Sequence, residues 1–306
     1  MKLVLVIFGV VVVALVLGEI GLRSLFGFGN PLTYIADEQI GYLLAPNQRT
    51  RRFGNRIEIN QYSMRSAPIS KTPAPSTRRV LLLGDSIANG GWWTDQDHTI
   101  SNLLMVSLSG HQPTEVMNAS ANSWGPRNEL AYLQKFGTFQ SQIIVLLLNT
   151  DDLFATAPSS LPVGRDRNYP SQKPALAYIE LWQRYLEKPQ AIPEMQAVQK
   201  EPGDRVGFNL EAIARIEELT RENNSKFLLL MTPLLREIGE PGPRDYEIKA
   251  RQRLQNFTQS TQITYIDFLP IFNATTNPKS LYQDHIHLNL EGNKLVSQEI
   301  ERSLQN

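Results

Sequence analysis

Three kinds of apolar pattern run along this chain, and each predicts a different element. The first is Leu3 to Gly18, an unbroken apolar stretch between Lys2 and Glu19, which Ile20, Gly21 and Leu22 extend weakly before Arg23. The second is a set of short continuous apolar runs, the pattern of strands buried on both faces. These are Arg79 to Leu83, Gln142 to Leu148 and Lys226 to Met231, with Thr114 to Asn118 and Gln262 to Ile266 as weaker examples. The third is helical spacing. It predicts helices over His98 to Leu108, with Leu103, Leu104 and Leu108 on one face, and over Pro126 to Phe136, with Pro126 suited to a first turn. Further helices are predicted over Phe208 to Glu222, Asp245 to Phe257 and Leu290 to Leu304.

Strands alternating with helices predict an α/β fold whose mostly parallel sheet is covered on both faces. We read the chain as a membrane or signal segment over residues 1–23, a juxtamembrane region and linker over 24–75, and the α/β domain over 76–306. Within the second part, Arg56 to Asn60 alternates as a strand does, and Lys71 to Ser76, with Pro73 and Pro75, reads as a linker. Phe154 to Val206 interrupts the α/β rhythm with proline and polar residues around a helical stretch at Ala175 to Leu186. It reads as an insertion, either shaping a pocket or lid or making a peripheral excursion with no role.

The N-terminal stretch falls between the length of a signal-peptide core and that of a full membrane span. Small residues at Val16 and Gly18 permit cleavage before Glu19, and an uncleaved anchor suits the length of the run. A buried core helix is disfavoured because the run is apolar on every side. Lys2 and the α-amino group favour an inside N-terminus, which puts the rest of the chain outside the cytoplasm, periplasmic or at the cell surface. A cleaved segment would instead make the protein secreted.

Composition narrows the chemistry. The 306 residues carry 30 basic and 30 acidic side chains, so there is no electrostatic case for nucleic acid. The absence of cysteine excludes disulfides, a thiol nucleophile, thiolate metal ligands and a lipid anchor on cysteine. Nothing in the sequence asks for a metal or an organic cofactor, and the oligomeric state is open.

The candidate chemistry sits at strand ends. The run Arg79 to Leu83 stops at Gly84-Asp85-Ser86, which puts Ser86 at a strand's carboxyl end, where open α/β sheets bind ligands. Asp and Ser are also ordinary helix caps, and Ala88 departs from the nucleophile elbow of α/β-hydrolases. Of the four histidines, His98 and His111 read as exposed. His287 follows Asp284 by three positions, a spacing that lets a carboxylate fold back onto the imidazole Nδ1; the same residues also suit a plain helix-entry loop. His285 has no assigned role. Two further strand ends, Asn118 to Gly125 and Leu148 to Asp152, carry small and polar residues suited to a ligand crevice or to turns.

Taken together, four segments resemble the SGNH/GDSL hydrolase superfamily, most closely its membrane-anchored or secreted bacterial members. They are Gly84-Asp85-Ser86, Asn118 to Gly125, Thr150-Asp151-Asp152-Leu153 and Asp284 to His287, with Ile59 to Arg65 as a lead-in. The resemblance spans residues 42 to 304 and implies a three-layer α/β/α sandwich of flavodoxin-like topology. It implies Ser86 as nucleophile, His287 as base and Asp284 as the group that orients it. It also implies an oxyanion hole at Ser86, Ser123 and Asp151. Ser123 stands where the family has glycine, and Asp151 where it has a side-chain amide donor. An ionised Asp151 would repel an oxyanion, and losing one donor costs about a hundredfold in rate. Thr150 or Asn149 are alternative donors, and a protonated Asp151 is another.

The expected activity is therefore a serine esterase acting on an O-acyl or O-acetyl ester of a carbohydrate or lipid. Two other readings stay open: an O-acyltransferase of an extracellular polysaccharide, and a catalytically impaired binding protein of the same fold. The expected partners are the ester substrate and the membrane. Trp92, Trp93 and Trp124 allow a sugar platform, with packing the simpler role for Trp124.

Overall fold

The computed structural model describes residues 1–110 and 112–305, so the predicted turn at His111 lies outside the described residues. The apolar N-terminus is helix α1, Lys2–Gly21, which runs on through a wider helical turn at Leu22–Phe26. None of the residues of α1 is buried, so it is no core helix. By length and composition, Lys2–Phe26 is able to cross a membrane.

Two antiparallel hairpins follow, β1 (Tyr34–Asp37) with β2 (Gly41–Leu44) and β3 (Gln48–Arg52) with β4 (Asn55–Ile59). Only β4 was legible in the sequence pattern. The others are short, and β3, Gln-Arg-Thr-Arg-Arg, has no apolar position to alternate.

The α/β part then unfolds as expected. Its strands are β5 (Arg78–Gly84), β6 (Thr114–Ser120), β7 (Ile143–Asn149), β8 (Lys226–Thr232) and β9 (Thr264–Asp267). They form one parallel sheet in the order β6-β5-β7-β8-β9. That order is flavodoxin-like, and it reverses direction at β5. The helices are α2 (Ser86–Asn89), α3 (Ile100–Ser109), α4 (Pro126–Phe136), α5 (Ala177–Tyr185) and α6 (Met195–Gln199). They continue as α7 (Arg205–Glu222), α8 (Asp245–Thr261), α9 (Phe268–Asn273) and α10 (Leu290–Gln305).

Alternate strand residues feed opposite faces. Leu81, Leu83, Ile144, Leu146, Leu229 and Met231 pack with residues of α4, α7 and α8, such as Tyr132, Ile213 and Leu254. Val80, Leu82, Val145, Leu147, Leu228 and Leu230 pack with Leu104 of α3, Phe268 of α9 and Val296 of α10. Each fully buried leucine contributes roughly 1.5–3 kcal/mol, so both faces are strongly held. The hairpins share the first cluster through Tyr42, Leu44, Ile57 and Ile59. Several boundaries differ from the sequence reading by a few residues, most of all at the end of α8. Helix α8 runs to Thr261 and closes on Gln262 in the left-handed conformation, φ +57°, which delays the last strand to Thr264.

Candidate active site

The switch point at β5 places Ser86. Gly84 ends the strand because nothing larger fits: a Cβ there would lie 2.7 Å from the Leu147 carbonyl oxygen and 2.8 Å from the Ala88 Cβ. Asp85 then caps α2, its Oδ1 accepting the Ile87 N–H at 2.7 Å. Ser86 thus opens a short helix at the carboxyl edge of the sheet.

The other two predicted residues arrive from the loop before α10. Asp284 Oδ1 accepts the backbone N–H groups of Ile286 (2.9 Å) and His287 (2.8 Å), which folds the loop back on itself. Asp284 Oδ2 then lies 2.8 Å from His287 Nδ1, and His287 Nε2 lies 2.9 Å from Ser86 Oγ. A carboxylate only accepts, so Nδ1 carries the proton and Nε2 is left to accept the serine hydroxyl. Burial pushes the Asp284 carboxyl up, but the bonds from the His287 ring and from two backbone N–H groups outweigh it and hold it below its ordinary value. His285 projects into solvent, its side chain 87% exposed. His98 is exposed, in a short 3₁₀ turn before α3.

The serine hydroxyl has a second neighbour. Asp85 Oδ2 is 3.2 Å from Ser86 Oγ and also accepts Asn149 Nδ2 at 2.9 Å. That amide donates at the same time to Asp152 Oδ2, at 3.0 Å. Glu129 is buried nearby with neither carboxyl oxygen bonded. Burial raises all three acids, and their mutual repulsion adds to it for Asp152 and Glu129. A network of bonds therefore steadies the turn that carries the serine, on a floor of raised carboxyls.

The segment Asn118 to Gly125 forms the adjacent wall. Ser123 has φ +59°, the left-handed region that glycine favours, so the serine keeps a glycine's backbone conformation at some strain. Two tyrosines hold this turn. Tyr42 Oη donates to the Asn122 carbonyl at 2.6 Å, and Tyr169 Oη donates to Ser123 Oγ at 3.0 Å. The first comes from β2, the second from the inserted segment. Trp124 is core, donating its Nε1–H to the Tyr42 carbonyl at 3.1 Å.

Asp151 lies elsewhere. It is exposed and does not line the pocket that holds Ser86 and His287. Partial desolvation raises its carboxyl, with the Arg236 guanidinium pulling the other way. The two alternative donors are committed to other bonds. The Asn149 amide serves Asp85 and Asp152, and the Thr150 hydroxyl joins Glu237 and Arg251 at 2.9 and 2.8 Å.

The pocket itself encloses about 280 Å³. Ser86, Asn89, Trp93, Ser123 and His287 line it together with Tyr34 and Arg52 from the hairpins and Tyr169 and Arg184 from the insertion. The Trp93 ring lies 4.1 Å from the His287 ring, centroid to centroid. Sequence reasoning missed Tyr34, Tyr42, Tyr169, Arg52, Arg184 and Asn122. Four of these lie on short strands or on α5 and two in loops, and a single aromatic, basic or amide side chain carries no periodic signal. Asn122 also lines the pocket, and its Oδ1 is buried without a partner. Among the described residues, no group of three His, Asp or Glu side chains is placed to hold a metal ion.

Comparison with known proteins gives the family. No curated protein sequence matches the chain. Similar solved structures include the acetyl xylan esterase AlAXEase, at 14% identity and a TM-score of 0.49, covering 74% of this chain and 98% of that one. Another is Axe2, an acetylxylan esterase from Geobacillus stearothermophilus, at 12% identity and a TM-score of 0.49, covering 76% and 95%. A third is a lipolytic G-D-S-L family protein from Veillonella parvula, at 12% identity and a TM-score of 0.47, covering 74% and 97%. The model of the GDSL-like lipase/acylhydrolase family matches residues 82–295, most of the chain and every strand end described above, and the chain belongs to that family.

Proposed function

We propose that this acylhydrolase is a serine esterase in which Ser86, His287 and Asp284 act as the catalytic triad. The observation that carries the reading is the unbroken relay from Asp284 Oδ2 through the imidazole to Ser86 Oγ, with links of 2.8 and 2.9 Å. Ser86 Oγ attacks the acyl carbon as His287 Nε2 takes its proton. The carbonyl π electrons move onto oxygen, and the backbone N–H groups of Ser86 and Ser123 hold the oxyanion. The tetrahedral species collapses, the C–O bond to the alcohol breaks, and His287 returns the proton to the leaving oxygen. Water then repeats the sequence on the acyl-serine and frees the acid.

We give Asp151 no part in the hole, because it stands outside the pocket lining. Of the asparagines on the pocket wall, Asn122 adjoins Ser123 while the Asn89 amide is committed to Ser120, and we assign the third donor to Asn122. Its replacement by alanine then costs about a hundredfold in kcat. The same reading makes residues 1–23 an uncleaved anchor with the catalytic part outside the cytoplasm. Residues 24–75 wall the pocket, and residues 76–306 form the hydrolase domain.

The test uses the full chain in detergent, a short-chain aryl ester and an organophosphonate probe. Hydrolysis and labelling both disappear in Ser86→Ala. Activity that survives this substitution, or a label that lands on another serine, refutes the assignment. Added glycan that accepts the acyl group in preference to water identifies the enzyme as a transferase with the same triad.

A further inference from the structure

Helix α5 is amphipathic in the opposite sense to a helix at a protein–water surface. Its charged side chains point inward. Glu180 is buried, accepts the Gly29 N–H at 2.6 Å, and meets Arg52 at 2.7 Å and Arg184 at 2.8 Å. Its outward face, continued one residue beyond each end of the helix, carries Leu176, Ile179, Trp182 and Leu186, which are 48%, 40%, 60% and 64% exposed. Leu25 and Phe26, at the foot of the N-terminal helix, are exposed as well. A contiguous apolar patch on an outward face marks a surface meant to be covered.

What covers it is set by where α5 is pinned. Glu19 of α1 accepts the Ala177 N–H at 2.8 Å and the Tyr178 N–H at 3.3 Å, capping α5 from outside its own segment. Tyr178 Oη donates to the Leu15 carbonyl at 3.2 Å, and Arg23 donates to the Ala175 carbonyl at 2.8 Å. Gly18 allows this closeness, since a Cβ there would lie 1.8 Å from Tyr178 Oη. Glu19 and Arg23 are the first charges after the apolar run, and they mark the level at which a spanning helix leaves the hydrocarbon. Helix α5 starts at that level. Aromatic and aliphatic side chains that project there, tryptophan above all, belong to the membrane–water boundary.

We propose that the outward face of α5, with Leu25 and Phe26, lies in the headgroup layer of the bilayer that holds α1. The proposal rests on the reading of Lys2–Phe26 as a membrane span. It moors the domain at two points and fixes its tilt. Ile179 and Gln183 on that face, with Glu180 and Arg184 behind them, line a cleft of about 840 Å³, and Arg184 also lines the pocket of Ser86. Both cavities are thereby held at a set height beside the lipid.

The chain has no cysteine, so single-cysteine variants of the full protein take one fluorescent label each. Labels at Trp182→Cys and Leu186→Cys are compared with Leu17→Cys in the span and with Glu222→Cys at the end of α7. Glu222 precedes β8 and therefore sits at the amino edge of the sheet, away from the site. All are reconstituted in phosphatidylcholine–phosphatidylglycerol vesicles with and without bromine on the acyl chains. Unchanged circular dichroism and melting midpoints confirm that each variant is folded.

The expected result is loss of emission to brominated lipid at positions 17, 182 and 186, and none at 222. Loss at 17 with full emission at 182 and 186 overturns the proposal and leaves the anchor standing. No loss at 17 overturns the anchor and the proposal with it. Labels at 182 and 186 that are shielded from aqueous iodide yet untouched by brominated lipid also overturn it, in favour of a protein surface on that face.

Discussion

Arg65 is fully buried, and its guanidinium fork donates to the carbonyls of Asn89 (2.6 Å), Gly91 and Thr94. These three carbonyls define the loop that leaves helix α2 and delivers Trp93 onto the His287 ring. Replacement by methionine keeps an apolar stem of similar length and removes every donor. A buried carbonyl left without a partner costs about 1–3 kcal/mol, so three cost about 3–9 kcal/mol before relaxation. Part of this is returned, because the guanidinium is itself expensive to bury; desolvation pulls its pKa down to about 9. The net expectation for Arg65→Met is a loss of about 3 kcal/mol, or roughly a hundredfold in the unfolding equilibrium. Urea unfolding of the full chain in micelles, followed by tryptophan emission, measures it. Well below the transition, kcat/KM should also fall by about tenfold or more, because the loop no longer fixes the Trp93 ring beside His287. An unchanged midpoint refutes the energetic argument. A destabilised variant with full kcat/KM refutes the coupling of this loop to the site.

Other outcomes follow from the same geometry. Asp284→Asn removes the carboxylate that orients His287, and kcat/KM for an aryl ester should drop by about 10³–10⁴, against less than tenfold for a merely structural loop residue. Glu129 is held above its ordinary value of 4.5 first by burial and then by the charge on Asp85. The folded state therefore binds the extra proton, and stability falls as pH rises above that value. Glu129→Gln removes this term, so the variant should gain on the parent with increasing pH, by at most about 1.4 kcal/mol per unit. Parallel urea midpoints across about pH 5–8 for the two proteins would contradict it.

The sheet was legible because its strands are buried on both faces, and burial leaves a continuous apolar run in the sequence. That Ser86, Asp284 and His287 would meet was legible for a different reason: local spacing and strand-end position constrain where they lie. The pocket walls were not. Tyr34 and Arg52 lie on short strands whose pairing is set by packing against the core, and Tyr169 and Arg184 lie in the insertion, one in a loop and one on α5. Their convergence is a tertiary fact with no local trace. Asp151 marks the limit of reasoning by alignment. The motif placed it in the hole, while the backbone turn after Asn149 sets it at the surface, outside the pocket. Arg65 appeared in the sequence only as part of a lead-in of no evident purpose, and its role emerges from three carbonyls on another segment.

Ser86 and His287 lie 201 positions apart, one after the first strand of the parallel sheet and the other before the last helix. Between them come four strands, and His287 stands just before α10, which packs on α3. A chain made from its amino end therefore holds its serine long before its histidine. On the proposed assignment of the triad, the hydroxyl has no base throughout that interval. Under that assignment reactivity begins only when the chain's last helix is in place, so the fold itself times its onset.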